Sequence, residues 1–250
     1  IYRASETGVI PADELVSARR TMGEERYNQE YECSFDAAVR GAYYATEMQD
    51  ARDAGRITSI PIERMPVSTA WDLGIGDDTA IWLYQTVGRE IRVLDYYENN
   101  GVGLDHYAGW LDRWKATHKI PSWGDIVLPH DANVRDLGSG NSRLEILARL
   151  MGKLPRVLPL SSVDDGIQTV RAAFPRLYFD AKRCARGLDA VALYRRHYDE
   201  KREVFYDRPL HDWTSHASDA LRYLCLGLKT ESATRNNKRT GVLAPELSIV

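Results

Sequence analysis

The chain has 250 residues, 44% of them hydrophobic and 28% charged, with a formal net charge of −3. That apolar share is enough to bury a core and excludes a disordered chain, and the balanced charge excludes a globally basic nucleic-acid binder, so any DNA contact has to come from a local patch. No apolar run reaches the length of a membrane span. No signal peptide stands at the N-terminus, and the first residue is Ile1, so the chain reads as a piece of something longer. Three scattered cysteines, Cys33, Cys184 and Cys225, argue against a disulfide framework or a cysteine zinc site and favour a reducing compartment.

Residues 1–60 read as a lead-in. Residues 11–22, 24–32 and 47–56 carry helix formers, and nothing in them has catalytic spacing. Pro61 and Pro66 then mark a boundary. Three strands follow, over 67–73, 79–87 and 90–97. The first two flank a loop with two glycines, and the second and third are joined by Gly88-Arg89, so the pattern predicts an antiparallel meander. Leu104, Tyr107, Ala108, Leu111 and Trp114 recur at helical spacing. Pro121 ends that helix, and a short strand over 125–128 runs into Pro129-His130-Asp131. Helices are expected over 142–151, 163–174, 184–198 and 214–228, with strands over 156–160 and 176–179. The tail from Lys229 is polar, carries Arg235, Lys238 and Arg239, and reads as loose. The fold class is therefore α/β, a mixed sheet of three antiparallel strands and then parallel ones, flanked by helices. A helix between the third and fourth strands lets the fourth lie parallel to the first.

Asp72 closes the first strand, whose apolar flanks predict burial. A buried carboxylate is costly unless it is paired or bound to a cation. Asp77 and Asp78 in the following loop read equally as turn formers or as further acids of a metal site. Asp131, at the end of the fourth strand, faces Asp72 if those strands are neighbours about 4.8 Å apart. Ligands gather at this edge of open α/β sheets. His216 and Asp219 share a face of the last helix. Asp219 points away from the main stripe of Ala217, Ala220, Leu221, Leu224 and Leu228, with Tyr223 and Leu226 on its side. In that setting it needs a partner: a metal, the backbone, or Arg222. Asp212 reads as an N-terminal cap of the helix. His211 and His216 have no cysteine cluster and no HExxH beside them, which argues against zinc. There is no GxxxxGK[ST] run, so the chain does not hydrolyse ATP through a P-loop. Three carboxylates from two strands and a helix form an oxygen-only cage suited to Mg²⁺ or Mn²⁺. Two such ions about 3.5–4 Å apart clamp the attacking and leaving oxygens of a phosphodiester.

WDLGIGDDTAIWLY (71–84), LPHDA (128–132) and WTSHASDALRYL (213–224) resemble the three acidic motifs of the nuclease domain of phage terminase large subunits, and NQEYECSF (28–35) resembles the segment where that family's ATPase domain ends. The resemblance runs from about residue 24 to 228, in the family's order. It implies the ribonuclease H-like fold over 61–228. It implies two ions, Mg²⁺ or Mn²⁺, on Asp72, Asp131 and Asp219, with Asp78 and His216 near them. It also implies an endonuclease that cuts concatemeric double-stranded viral DNA during packaging in the host cytoplasm, with the portal and the small terminase subunit as partners. Without a Walker motif, the chain looks like the C-terminal portion of such a protein, with 229–250 as a flexible basic tail that docks on a packaging partner. His216, one turn before Asp219, is better placed to orient water than to bind metal. Arg64, Arg135, Arg143 and Lys153 are the candidates for DNA contact by proximity to the motifs. Two readings compete: a Holliday-junction resolvase or integrase-like nuclease of the same fold, which His216-x-x-Asp219 suits, and a non-catalytic binding module, which the acid triad argues against.

Overall fold

The computed structural model describes residues 10–22, 27, 41–74, 78–135, 140–199, 202 and 204–240, the side chains of 231–240 excepted. Asp77, Cys33, the 28–35 stretch and residues 241–250 fall outside that set.

Among the described residues, seven strands form one sheet in the order β1-β7-β4-β3-β2-β5-β6. They are β1 (Ile57–Thr58), β2 (Val67–Asp72), β3 (Thr79–Val87), β4 (Glu90–Asn99), β5 (Trp123–Leu128), β6 (Arg156–Val157) and β7 (Leu177–Asp180). β2, β3 and β4 are the expected meander, antiparallel at both joins. β5 lies parallel to β2, β6 to β5, and β7 to β4. β3 therefore runs alone against the rest, and β2, β4, β5 and β7 all end at one edge.

The helices are α1 (Ala12–Met22), α2 (Ala45–Asp53), α3 (Leu104–His118), α4 (Arg143–Met151), α5 (Val163–Ala173), α6 (Ala185–Leu193) and α7 (Thr214–Thr240). Side chains alternate across the pleat, so each strand feeds two cores. Trp71, Ile81, Leu83 and Leu94 pack on one face with Tyr107 and Leu111 of α3 and Leu147 of α4. Ala70, Ala80, Trp82 and Tyr84 pack on the other with Met48 of α2, Ile167 and Val170 of α5, Leu188 of α6 and Ala217 to Leu224 of α7. Asp72 sits opposite Ala80, so it belongs to the α7 face. Trp82 fixes the helix to that face: its indole Nε1 donates to the Ala217 carbonyl at 2.8 Å. On α6, Gly187 is the glycine that matters, because a side chain there would run into Trp82 and Tyr96.

Two expected elements differ. The helix expected over 184–198 stops at Leu193. Backbone bonds draw the chain out of it, from Tyr43 N to the Tyr194 carbonyl (2.9 Å) and from Arg196 N to the Gly41 carbonyl (3.0 Å). The chain then forms an antiparallel pair outside the main sheet, β8 (Arg196–Asp199) and β9 (Val204–Pro209), with the Tyr198 ring tilted against that of its partner Phe205 at 4.7 Å. The last helix continues past Leu228 to Thr240. The break expected at Pro61 falls between β1 and β2 of one sheet, and Tyr44, Met48 and Ala51 of the lead-in are buried in the α7-side core. No helix among the described residues is long and apolar enough to cross a membrane.

Candidate active site

The candidate acids lie at the edge where β2 and β5 end and on the first turns of α7. Asp72 is the last residue of β2, its side chain 18% exposed. Burial, above all, pushes its carboxyl upward. A hydrogen bond with His216 pulls the other way, and the Asp219 charge pushes it up again. The His216 Nδ1 lies 3.3 Å from Asp72 Oδ2. His216 is 8% exposed and meets the His211 ring edge-on at 5.8 Å.

Asp131 follows β5 in a single 3-10 turn, His130–Asn133, entered through Pro129. Because β5 is parallel to β2, that turn lies at the same sheet edge as Asp72. Arg143, the first residue of α4, spans the two strand ends. Its Nη1 lies 3.3 Å from Asp131 Oδ2 and donates to the Leu73 carbonyl at 3.4 Å. Ser142 and Glu145 form a reciprocal capping box that fixes where α4, and so Arg143, begins.

Asp219 lies on α7 one turn after His216. The Arg222 guanidinium holds it through Nη2 at 2.8 Å and Nε at 3.1 Å, both on Oδ1. Tyr223 comes next on the same face. Its phenol is driven up by burial first, and then by Asp72, Asp219 and Asp131 together, with Arg222 opposing. Tyr194, 1% exposed, is raised by burial and by Asp219.

Of the expected residues, His216 contacts Asp72, Asp219 is held by Arg222 one helical turn further along α7, and Asp131 lies at the same sheet edge with Arg143 as its partner. Asp78 is not joined to them by any hydrogen bond or ion pair among the described residues; its charge registers on Tyr96 and Tyr107. Asp212 caps α7, accepting from Thr214 N at 2.9 Å. Of the basic candidates, Arg143 is at the site, Arg135 pairs with Glu145 at 3.0 Å, and Lys153 donates to the Trp123 carbonyl at 3.2 Å. Arg64 is exposed. Tyr223 and Tyr194 were not singled out from the sequence as site residues. The usable signal for Tyr223 was its spacing, four residues after Asp219 and seven after His216.

Among the described residues, no three of His, Cys, Asp and Glu lie close enough together to hold one metal ion. The donor chemistry nevertheless fits a hard divalent cation. All three acids offer oxygen, and the buried Asp72 has a histidine rather than a fixed cation as its partner.

No protein-family model matches the sequence, and no curated protein does. Solved structures do match. The large terminase of the thermophilic bacteriophage D6E, in complex with ATP-gamma-S, aligns with a TM-score of 0.54 at 18% identity over 90% of this chain and 54% of that one. Another structure of the same terminase aligns at 0.53 with the same identity and coverage. The nuclease domain of the P22 large terminase aligns at 0.47 and 16% identity, over 71% of this chain and 89% of that one. The D6E likeness supports the fold alone: this is a mixed-sheet α/β domain of the kind that terminase contains. The chain spans about half the length of the D6E terminase chains it matches.

Proposed function

We propose that this chain is a divalent-metal-dependent endonuclease that cuts concatemeric double-stranded viral DNA during genome packaging. The observation that carries this reading is Asp72. It is a half-buried carboxyl, raised by burial and by the Asp219 charge, whose hydrogen-bond partner among the described residues is His216 at 3.3 Å. Structural acids in protein interiors are saturated with donors; a poorly satisfied one gathered with two more acids marks a functional site.

Asp72, at the end of a middle strand of the sheet, would hold the metal together with Asp131 from the end of β5 and Asp219 from α7. Mg²⁺ or Mn²⁺, as a pair when bound, supplies an activated water and neutralises charge on the phosphodiester. His216, kept in place by Asp72, orients the attacking water and takes its proton. Arg143, between the strand ends, is placed to meet a DNA phosphate once Asp131 turns to its ligand. The host cytoplasm is the compartment this role requires, and the portal and small terminase subunit are the partners it brings.

The test is cleavage of plasmid and linear DNA by the 250-residue chain with Mn²⁺, with Mg²⁺ and with chelator. Metal-dependent cutting of both substrates, lost in Asp72→Asn, Asp131→Asn and Asp219→Asn, is expected. Cutting confined to four-way junctions would make the protein a resolvase instead. No cutting in either metal would remove the nuclease reading.

A further inference from the structure

Trp213, the residue before α7, is a large apolar side chain that the fold leaves 37% exposed. The Arg186 guanidinium of α6 lies over its ring, 4.0 Å from the centre. Arg186 is itself fixed, because its Nε donates to Glu98 Oε1 at 2.7 Å. The other oxygen of Glu98 accepts from the Tyr96 phenol, and Tyr96 packs on the buried Trp82 with 4.5 Å between ring centres. A chain of contacts thus runs from the core to the surface. It ends at an arginine whose side chain is 54% exposed, anchored on a carboxylate that is 16% exposed. Among the described residues, Nη1 and Nη2 of that arginine make no hydrogen bond. Holding a long exposed side chain in one geometry costs conformational entropy. Here the outer edge of the guanidinium is fixed in place and left open.

The sheet register gives its distance from the candidate site. Asp72 stands opposite Ala80 of β3, and Ala80 stands opposite Glu98 of β4. The three form one row on the α7 face, so Glu98 lies about 10 Å from Asp72, two strand spacings away. Duplex DNA advances about 3.4 Å per base pair. We infer that Arg186 is a DNA-binding residue: held between Glu98 and Trp213, it presents Nη1 and Nη2 to a backbone phosphate about three base pairs from the bond at Asp72. This rests on the nuclease reading above. A planar guanidinium suits two-pronged contact with a phosphate, and one already held in place loses less freedom on binding. The opposing effect is the charge of Glu98, which repels the phosphate from behind the arginine. That repulsion gives the inference a sign that a purely structural ion pair would not have.

The experiment measures binding of a short labelled DNA duplex to the 250-residue chain by fluorescence anisotropy, in chelator and over a series of salt concentrations, with a thermal melt of each variant. Arg186→Gln is expected to reduce the slope of log affinity against log salt by about 0.9 and to weaken binding about five- to tenfold near about 0.1 M salt, the loss of one phosphate contact. Arg186→Lys keeps the charge and is expected to keep the slope. Glu98→Gln keeps an acceptor for Arg186, removes the repelling charge, and is expected to tighten binding by about two- to fivefold. A parental slope and affinity in Arg186→Gln, or weaker binding in Glu98→Gln, would overturn the inference while leaving the nuclease reading standing. Should Arg186→Gln not fold, Glu98→Gln decides alone: binding no tighter than the parent's overturns the inference. A parent chain that binds no duplex at any salt would instead bring down the DNA reading, and this inference with it.

Discussion

Asp72, half-buried, and Asp180, buried, both end strands at the same edge of the same sheet, yet they are opposites. Asp180, closing β7, accepts backbone N–H bonds from Ile60 (3.0 Å), Lys182 (3.2 Å) and Arg183 (2.8 Å), and pairs with the Arg183 guanidinium at 2.8 Å. Burial pushes its carboxyl up, but the Arg183 and Ile60 N–H bonds and the Arg183 charge outweigh it, so it is held low. Asp72 is pushed up by burial, with His216 as the opposing hydrogen bond and Asp219 adding to the rise. Burial alone does not distinguish a structural acid from a functional one. What distinguishes them is how completely the fold satisfies the charge. Asp180 ties β7 to the segment after β1; Asp72 is held ready for something else.

The sharpest way to break this contrast is to neutralise each acid in turn. Asp72→Asn is expected to cut plasmid cleavage in Mn²⁺ by at least about a thousandfold while its melting temperature holds or rises, since an ill-satisfied buried charge is removed. A variant that cleaves like the parent would show that Asp72 is as structural as Asp180. His216→Ala should lower cleavage on the order of 10²–10³-fold, as for a proton-handling group. The expected result for Asp180→Asn is reversed: cleavage per folded molecule stays at the parent level, and stability in urea drops by about 2–3 kcal/mol, the cost of unpairing Arg183 and weakening charged hydrogen bonds. A smaller effect should appear in stability against pH. Asp180 has its folded value depressed, so the stability it gives is present above the unfolded value near 3.9 and is lost as pH falls through the folded one. Asp72 has its folded value raised, so in metal-free buffer it costs stability as pH climbs from about 3.9 through that raised value. Asp180→Asn should flatten the acid limb of the stability curve, and Asp72→Asn the limb above it. If both variants flatten the same limb, the two acids do not differ in the way described.

Much of this was legible in the chain. The apolar runs around the two-glycine loop and the Gly88-Arg89 turn pointed to the meander, and the intervening α3 pattern to the parallel β5, which together put Asp131 at the same sheet edge as Asp72. The two apolar faces of α7 told of cover on both sides and of an acid in need of a partner, and Arg222 is one. The pairing of β8 with β9 was hidden, because the pattern over 184–198 continues a helical period, and only backbone bonds to residues 41–43 end it. β1 is two residues long, too short for any periodicity to register. α7 beyond Leu228 has no apolar stripe to announce it. The setting of Tyr223 depends on which strand ends lie under the helix, so spacing alone could not reveal its burial beside Asp72 and Asp219.

The bond between Asp72 and His216 closes a separation of 144 residues. Between them the chain must complete β3, β4, β5 and the α5 and α6 layers on which α7 rests. Contacts of such long sequence separation form late, because the loops they close must first be organised. On a ribosome, where N-terminal parts emerge first, the sheet and most of its helices can be in place while the acids of β2 and β5 still lack their histidine and third carboxylate. On the proposed reading the set of site residues is complete only when the last long helix docks and Trp82 finds the Ala217 carbonyl.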